Sequence, residues 1–372
     1  MVDLKKQYQK IKPAVDKALL DVLESAAFIN GQPVQDFAKA LEKYLEVKHV
    51  IPCANGTDAL QIAMMALGLQ PGDEVLTPSF TFIATAEVIA LLGLKPVFAE
   101  VDEKTFCLDM QQLEKAVTPR TKAIVPVHLF GQCADMEPLL AFARKHNLAI
   151  IEDNAQAIGS DYIFTDGSRQ KAGTIGDIGC TSFFPSKNLG GYGDGGALFT
   201  NNDELAARIR MIANHGQSRR YYHDLVGCNS RLDTLQAAIL QIKLQHLNDY
   251  IAARREAADF YDQRFADHPQ ITVPYRATTY STHVFHQYTI QVPAERREAL
   301  QKHLSEQGIP AMIYYPVPAH RQQMFEGWHS HSTVLPVTDR LAARVLSLPM
   351  HTELSEDQLA FITQTVLDFF NK

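Results

Sequence analysis

The sequence has few cysteines, a single tryptophan and no long apolar run. The 372 residues include five cysteines, scattered along the chain and without a C-x-x-C pair: Cys53, Cys107, Cys133, Cys180 and Cys228. An odd, scattered set indicates buried thiols in a reducing compartment, and argues against a disulfide framework or a cysteine metal site. No apolar run reaches the roughly 18 residues of a membrane span, so we expect no membrane segment.

An excess of positive charge is also missing. The 35 Lys and Arg residues are outnumbered by 42 Asp and Glu residues, which gives a formal charge of −7. Without a net basic field we expect neither nucleic acid nor a membrane as a partner. The first 20 residues lack the apolar core of a signal peptide, which predicts a cytoplasmic protein. The length favours two packed domains.

Short strand-like runs alternate with helical stretches from about residue 50 to residue 200. The clearest of these runs occupy residues 73–77, 95–101, 122–127 and 148–153. Repeated alternation of this kind predicts an α/β fold with a largely parallel sheet. Such sheets bind ligands at the carboxyl ends of their strands, so polar residues that follow the strands are candidates for chemistry.

Helical spacing dominates both sides of this region. Residues 13–23 and 34–47 predict two helices before it, and residues 231–265 predict one long connecting helix after it. From about residue 270 the chain has a strand-like run at 283–292, a second near 310–315, and two closing helices.

These patterns predict two domains. Residues 1–245 are expected to form the N-terminal helices and a large domain. Residues 246–372 are expected to form the connecting helix and a smaller α+β domain.

The densest polar signal lies at residues 181–200, where Lys187 and several glycines separate two strand-like runs. Gly191, Gly193 and Gly196 formally satisfy G-x-G-x-x-G, but that fingerprint opens a helix, whereas these glycines lead into a strand. The segment fits better as a loop that lets the backbone pass close to a bulky group. The alternative is an ordinary glycine-rich turn with a solvated lysine.

Three further strand ends carry candidate side chains. Asp153 ends an apolar strand, although a carboxylate there also suits a helix cap. Gly56 and Thr57 begin a helix, where N–H groups and a hydroxyl suit a phosphate, and a simple N-cap is the alternative. Phe82 follows the next strand, with core packing as its alternative.

Together these residues match the needs of pyridoxal 5′-phosphate (PLP). A lysine forms a Schiff base with PLP, and an aspartate keeps the pyridine nitrogen protonated so that the ring withdraws electrons. Helix-terminal donors suit the phosphate, and an aromatic side chain suits the ring face.

The sequence resembles the DegT-type sugar-nucleotide aminotransferases over essentially its whole length. Matching stretches are FINGQPVQDFAKALEKYL, CANGTDALQIAMMALGLQPGDEVLTPSFTFIATAE, PVHLFGQCADM, IIEDNAQAIGS, SFFPSKNLGGYGDGG, NSRLDTLQAAIL and LSLPMHTELSEDQ. The resemblance implies the PLP fold type I, with a mostly parallel seven-stranded sheet in the large domain and a smaller α+β C-terminal domain. It also implies PLP as the cofactor and a homodimer with shared active sites.

Within this family the chain is most similar to the transaminases that make UDP-2-acetamido-3-amino-2,3-dideoxy-glucuronate for bacterial surface polysaccharides such as O-antigen. That similarity implies a UDP-linked 3-keto sugar as the amino acceptor and glutamate as the donor. A 4-keto-6-deoxy nucleotide sugar is the alternative substrate. The same fold also suits a PLP-dependent sugar dehydratase, against which Lys187 argues, or a non-catalytic regulatory protein.

The resemblance also implies roles for individual residues that bind the cofactor. Lys187 is implied to form the Schiff base and to move protons, and Asp153 to pair with the pyridinium nitrogen. Gln156 is implied to lie near the cofactor's 3-hydroxyl group. The remaining cofactor-binding residues it implies are Gly56, Thr57 and Ser182 at the phosphate, Phe82 on the ring, and Asn229 reaching the phosphate of the neighbouring subunit.

The substrate residues implied by the resemblance are Phe28, Ser186, Arg231, Tyr314 and Tyr315. Many relatives have His-Tyr where this chain has Tyr314–Tyr315, so Tyr314 departs from the family pattern. For Arg231 the alternative is a helix cap or an ion pair with Asp233.

Several more polar or sulfur-containing side chains have simpler interpretations, and no metal site is expected. His329 and His331 lack a third ligand, which favours a polar loop. His128 is interpreted as a near-core histidine, and Met64 and Met65 as core residues. Arg219 and Arg220, followed by two tyrosines, suit either the phosphates of a nucleotide or a solvated turn.

Overall fold

The computed structural model describes residues 1–328 and 333–371. The α-helices are α1 Leu4–Ser25, α2 Gln32–Leu45, α3 Gly56–Ala66, α4 Ala84–Leu91, α5 Met110–Leu113, α6 Met136–His146, α7 Asp203–Ala213, α8 Thr234–Gln245, α9 Leu247–Phe265, α10 Ala294–Glu306, α11 Pro336–Arg344 and α12 Glu356–Phe370. The strands are β1 His49–Cys53, β2 Glu74–Pro78, β3 Lys95–Ala99, β4 Thr121–Ile124, β5 Ala149–Asp153, β6 Asp161–Ile163, β7 Arg169–Lys171, β8 Ile178–Ser182, β9 Gly196–Thr200, β10 Gln217–Arg219, β11 Tyr222–His223, β12 Tyr288–Gln291 and β13 Val345–Leu348.

Seven strands form the central sheet in the order β1-β9-β8-β5-β4-β2-β3. The pairs β5–β8, β4–β5, β2–β4 and β2–β3 are parallel, whereas β9 runs antiparallel to both of its neighbours. The predicted α/β fold with a mostly parallel seven-stranded sheet is therefore confirmed.

Side chains of successive strand residues pack on opposite faces of this sheet. Ala123 and Ile151 belong to a core that includes side chains of α3, α4 and α7. Ile124 and Ile150 belong to a second core that includes side chains of α6. Because the side-chain period of a strand is two, this alternation buries both faces of the sheet.

The helices differ from prediction at two places. α1 begins at Leu4 instead of residue 13, because the Asp3 side chain caps it by accepting the Lys6 N–H, and the helix continues through Pro13. The predicted long helix over 231–265 is two helices, which separate at His246. Among the helices that lie in the described part of the chain, none is long and apolar enough to cross a membrane.

The C-terminal region contains a two-stranded antiparallel sheet of β12 and β13. The strand predicted near 310–315 was wrong, since this stretch forms only a single bridge between Met312 and Ser347. Pro310, Pro316 and Pro318 surround that bridge, and proline has no N–H to donate to a sheet. The domain boundary after residue 245 stays a prediction.

A buried carboxylate ties β5 to the loop that precedes β8. Glu152, which is fully buried, accepts the N–H groups of Gly173, Ile175 and Gly176 at 2.6–2.7 Å. It also lies 2.8 Å from Nε2 of His128. Because Nδ1 of His128 accepts the Ala134 N–H, Nε2 holds the ring proton and donates it to Glu152. His128 is thus a satisfied core histidine, as predicted.

We expect Glu152→Gln to destabilise the protein strongly. The amide NH₂ brings two donors to a site where the backbone N–H groups and His128 already donate, so at least one buried donor loses its acceptor. The expected loss is about 2–5 kcal/mol in the free energy of unfolding, measured by urea denaturation of the holoenzyme followed by circular dichroism. Glu114→Gln, at an exposed ion pair with Lys145, is the control and should leave the transition unchanged. Equal transitions for both variants would contradict a structural role for Glu152.

Candidate active site

The carboxyl ends of β1 and β8 meet across the start of β9. Cys53 pairs with Gly196, and Gly196 pairs with Ser182, so these three residues form a row at one edge of the sheet. The chain leaves β1 and begins α3 at Gly56, directly beside Ser182. A Cβ atom on Gly56 would lie 2.7 Å from Cβ of Ser182, so only glycine fits without a shift.

This close approach forms a cradle suited to an anion. The first turn of a helix has N–H groups without intrahelical partners, and the helix dipole favours negative charge there. The hydroxyl groups of Thr57 and Ser182 belong to partly exposed residues beside that turn. Asn55 caps the helix by accepting the Asp58 N–H, so the N-cap interpretation from the sequence belongs to Asn55.

Asp153 ends β5 at the same edge, with 6% of its surface exposed. Its Oδ2 accepts the hydroxyl of Thr85 at 2.7 Å, and its Oδ1 accepts the Ala155 N–H at 3.1 Å. The alternative that Asp153 caps a following helix is wrong, since residues 155–159 form a turn.

Lys187 lies in a tight turn that follows β8. Its N–H donates to the carbonyl of Phe184, and the side chain of Asn188 donates to the carbonyl of Val284. Gly190 permits this turn, because a Cβ there would lie 2.4 Å from the Pro185 carbonyl oxygen.

Burial and a neighbouring charge act on the pKa of the Lys187 amine in opposite directions. Burial lowers its pKa to about 8, and the negative charge of Asp153 opposes that shift. Burial together with the charges of Lys187 and Arg254 keeps the pKa of His286 well below its ordinary value. The site therefore holds one carboxylate, one amine that is readily deprotonated and a neutral histidine.

The outer wall of the site is aromatic. Phe82 is 54% exposed, which excludes the core-packing alternative, and its ring centroid lies 6.2 Å from that of Tyr315. The Tyr315 hydroxyl accepts a hydrogen bond from Nε2 of Gln156 at 3.0 Å, and Oε1 of Gln156 accepts the Phe130 N–H at 2.8 Å. Burial raises the pKa of Tyr315, so this hydroxyl stays protonated.

The predicted residues fall into two groups. One set is arranged along the strand-end edge and its aromatic wall: Gly56, Thr57, Phe82, Asp153, Gln156, Ser182, Ser186, Lys187, Tyr314 and Tyr315. Tyr314 lies beside Tyr315, with 5.7 Å between ring centroids, and Ser186 directly precedes Lys187.

Asn229, Phe28 and Arg231 form the second group. Asn229 is exposed and bridges to Asn214, and the carbonyl of the exposed Phe28 accepts the Thr234 N–H. Among residues 1–328 and 333–371, no ion pair joins Arg231 to Asp233, and no hydrogen bond links this group to Lys187 or Asp153.

Sequence reasoning missed Thr85 and His286. Thr85 lies in the first turn of α4, fully buried, and no spacing rule connects its hydroxyl to a carboxylate 68 residues later. His286 lies in the 283–292 run that was interpreted as an ordinary strand. The run also contains His283, and no local pattern shows which of the two histidines interacts with Lys187.

Four of the remaining candidates, Met64, Met65, Arg219 and Arg220, make no hydrogen bond, ion pair or ring contact with Lys187 or Asp153 in the described part of the chain. Met64 is fully buried and Met65 packs against the same core, as predicted. Arg219 stacks on the Tyr222 ring at 3.7 Å in an exposed hairpin of β10 and β11, while Arg220 neighbours Tyr221. His329 and His331 lie outside the described residues. In the described ranges, no cluster of three or more His, Cys, Asp or Glu side chains is arranged to hold a metal.

The residues present fit PLP. The Gly56 cradle suits its phosphate, Asp153 offers a buried carboxylate for the ring nitrogen, and Phe82 offers an exposed aromatic face. Lys187 supplies an amine whose pKa is low enough to react near neutral pH.

The low pKa of Lys187 predicts unusual reactivity once the cofactor has been removed. With a pKa of about 8 the amine is half neutral near that pH, so its rate of acylation should reach half its plateau there. Lys17 is the control, because the Asp21 carboxylate raises its pKa and it needs a higher pH. The measurement is peptide-resolved mass spectrometry after brief acylation across a pH series.

A second variant tests the cause of the shift. Asp153→Asn removes the charge that raises the Lys187 pKa, so the half-point should move to lower pH. Half-points of Lys187 and Lys17 that coincide would show that burial does not perturb the Lys187 amine.

The chain is similar to known proteins over nearly its whole length. The sequence profile of the "DegT/DnrJ/EryC1/StrS aminotransferase family" matches residues 9–367. The UDP-2-acetamido-2-deoxy-3-oxo-D-glucuronate aminotransferase of Pseudomonas aeruginosa is 46% identical over 97% of both chains. The UDP-N-acetyl-3-dehydro-alpha-D-glucosamine 3-aminotransferase of Acidithiobacillus ferrooxidans is 44% identical over 98% of this chain and 96% of the relative. A protein of Geobacillus stearothermophilus named a pleiotropic regulatory protein is 45% identical over 100% and 98%.

Solved structures agree with the fold. An aminotransferase from Brucella abortus is 41% identical, with a TM-score of 0.93 over 100% of this chain and 99% of the other. S. venezuelae DesV, solved in complex with a ketimine intermediate, is 38% identical, with a TM-score of 0.95 over 100% and 98%.

Proposed function

The chain belongs to the DegT/DnrJ/EryC1/StrS aminotransferase family and is a PLP-dependent sugar-nucleotide aminotransferase, and on that premise we propose its substrates. The amino acceptor is UDP-2-acetamido-2-deoxy-3-oxo-glucuronate, a UDP-linked 3-keto sugar, and the donor is glutamate. The product serves the cytoplasmic synthesis of O-antigen or another surface polysaccharide.

The observation that carries the choice of sugar is the 46% identity, over 97% of both chains, to an aminotransferase named for that substrate. The relative at 44% identity is named for a sugar with the same nucleotide and the same keto position. Relatives named for dTDP-linked sugars reach 39% identity over similar lengths, which favours UDP as the nucleotide.

We assign cofactor-binding roles from the geometry. Gly56, Thr57 and Ser182 hold the phosphate, because they form the cradle at the start of α3. Asp153 would pair with the pyridine nitrogen, and the hydrogen bond that Thr85 donates orients its carboxylate. Bound PLP supplies an electron sink that stabilises negative charge on the carbon from which a proton is removed.

Lys187 moves the proton in both halves of the reaction. In the first half its Nζ would move the proton from the α-carbon of glutamate to the cofactor's aldehyde carbon, and in the second half it would move a proton from that carbon to C3 of the sugar. This work needs an amine that gains and loses a proton near neutral pH, and burial provides it by lowering the Lys187 pKa to about 8.

We also propose a homodimer with shared sites. Asn229 and Phe28 are exposed, and in the described part of this chain no hydrogen bond connects them to the Lys187 edge. A two-fold interface would place the Asn229 of one subunit at the phosphate of the other, and closed two-fold symmetry is the commonest assembly.

A product panel tests the proposed function. The purified holoenzyme is incubated with glutamate and UDP-linked 3-keto-glucuronate, UDP-linked 3-keto-N-acetylglucosamine or a 4-keto-6-deoxy nucleotide sugar, and the products are identified by mass spectrometry. The expected result is preferred amination of the uronate, and no amination by Lys187→Ala. Preference for the 4-keto-6-deoxy sugar would establish the alternative substrate, and amination by Lys187→Ala would overturn the role of Lys187.

Arg231 provides a sharper test of the uronate. A buried carboxylate on the sugar needs a partner, and the planar guanidinium group holds both oxygens at once. Arg231→Lys should lower kcat/KM for the uronate by about thirtyfold or more, because losing one charge-assisted pair costs roughly 2–5 kcal/mol. UDP-linked 3-keto-N-acetylglucosamine, which lacks the carboxylate, is the matched control substrate.

The two substrates separate the alternatives for Arg231. A smaller loss on the control substrate indicates contact with the carboxylate. Equal losses would show that Arg231 organises the site generally, for example by orienting the start of α8.

A further inference from the structure

A short segment of the C-terminal region crosses the strand-end edge beside the site and is fixed at both ends. This segment, residues 312–320, is called the strap. At one end Met312 exchanges two backbone hydrogen bonds with Ser347 in β13, at 2.7 and 3.0 Å. At the other end the Ala319 N–H donates to the carbonyl of Ser79 at 2.9 Å, directly after β2.

The second attachment includes a buried side-chain pair. The Ser79 hydroxyl accepts the backbone N–H of His320 at 3.0 Å, and it lies 2.6 Å from Nδ1 of the same histidine. Both residues are fully buried. A carboxylate near Nε2 favours the tautomer with the proton on Nε2, and in that tautomer the Ser79 hydroxyl donates to Nδ1. Nε2 lies 3.5 Å from a carboxylate oxygen of Asp339 in α11.

Ser79, His320 and Asp339 follow one another as the residues of a hydrolytic triad do. The geometry nevertheless excludes Ser79 as a nucleophile. The Ser79 hydroxyl is inaccessible, and it is engaged by two groups of one residue. No substrate reaches this hydroxyl. The Ser79–His320 pair therefore holds neighbouring residues in place and takes no direct part in the reaction.

Two aromatic residues of the outer wall depend on this attachment. Tyr315 lies in the strap, where Gln156 donates to its hydroxyl. Phe82 lies three residues after Ser79, in the loop that leaves β2, and its ring neighbours that of Tyr315. The Ser79–His320 pair therefore fixes the strap to the same loop that presents Phe82.

The inner part of the site has separate supports. Asp153 is held by Thr85 and by the Ala155 N–H, and Lys187 by its own turn. None of these contacts involves the strap.

We infer that Ser79 and His320 are positioning residues for the sugar nucleotide, acting through Tyr315 of the strap and not through Lys187. This inference rests on the proposed function, since it assigns the outer wall to the larger substrate. Loss of the pair should weaken the sugar half of the reaction and leave the glutamate half intact.

The test compares Ser79→Ala with Ser281→Ala in the holoenzyme. Ser281 is a matched control, because it is also buried and its hydroxyl also accepts one backbone N–H, from Cys133 at 3.0 Å. Ser79→Ala should raise KM for the keto-sugar nucleotide by about 5- to 30-fold, the effect of one lost buried hydrogen bond. The rate of the glutamate half-reaction, followed by the cofactor absorbance, should change by less than about twofold, and Ser281→Ala should change neither.

Substitution of His320 gives a second, independent test. His320→Asn keeps an acceptor near the position of Nδ1 and should retain most of the sugar affinity, whereas His320→Leu should behave like Ser79→Ala. Hydrogen exchange measured by mass spectrometry reports attachment without any substrate. It should rise in peptides that cover residues 312–322 of Ser79→Ala and stay unchanged in Ser281→Ala.

The outcomes separate this inference from the proposed function. Unchanged exchange in the strap, or equal losses in both half-reactions, would overturn the positioning role. If wild-type enzyme aminates no keto-sugar nucleotide while exchange still rises in Ser79→Ala, the attachment stands, and both the substrate assignment and the sugar-specific role are overturned.

Discussion

The site depends on holding the Lys187 amine away from water while a carboxylate remains within its electrostatic reach. Burial alone disfavours the ammonium form, and an unopposed shift would make the amine a weaker base that takes up a proton less readily. Asp153 opposes that shift, and the balance leaves the pKa at about 8. The turn after β8 provides the burial and the end of β5 provides the charge. Because β5 and β8 are adjacent and parallel, their carboxyl ends bring the two groups together.

Two neighbouring acids on β5 perform different tasks because strand side chains alternate between faces. Glu152 points away from the site and binds three backbone N–H groups and His128, which fixes the loop before β8. Asp153 points toward the site and is fixed by Thr85. Glu152 thus holds in place the pair of strands β5 and β8, on which the position of Asp153 relative to Lys187 depends.

The sequence was most informative where local pattern and position in the sheet agree. Apolar runs located β2 to β5 to within a few residues, and the candidate residues after β1, β5 and β8 lie at one edge of the sheet. The local sequence pattern gave wrong predictions where contacts between residues that are distant in sequence determine the structure. β13 pairs with β12 although residues 292–344 lie between them, and the stretch at 310–315, which begins at Pro310 and is followed by Pro316, forms a single bridge instead of a strand. Thr85 and Ser79 acquire their partners only through folding, so neither shows a recognisable local motif. The roles proposed for Asn229 and Phe28 depend on a second subunit in the proposed assembly, which a single chain does not supply.

A transaminase must admit two substrates of different size to one amine in turn. The inner groups that serve both halves of the reaction are supported by backbone hydrogen bonds and a buried hydroxyl, which leaves them little freedom. The outer wall is built differently, from aromatic side chains that are exposed or half-buried and are joined through Gln156 and the strap. A change of sugar can therefore be accommodated in the outer wall without disturbing the lysine or its carboxylate. In the proposed function, the chemistry depends on the residues at the strand ends, whereas the choice of sugar depends on the strap that lies across them.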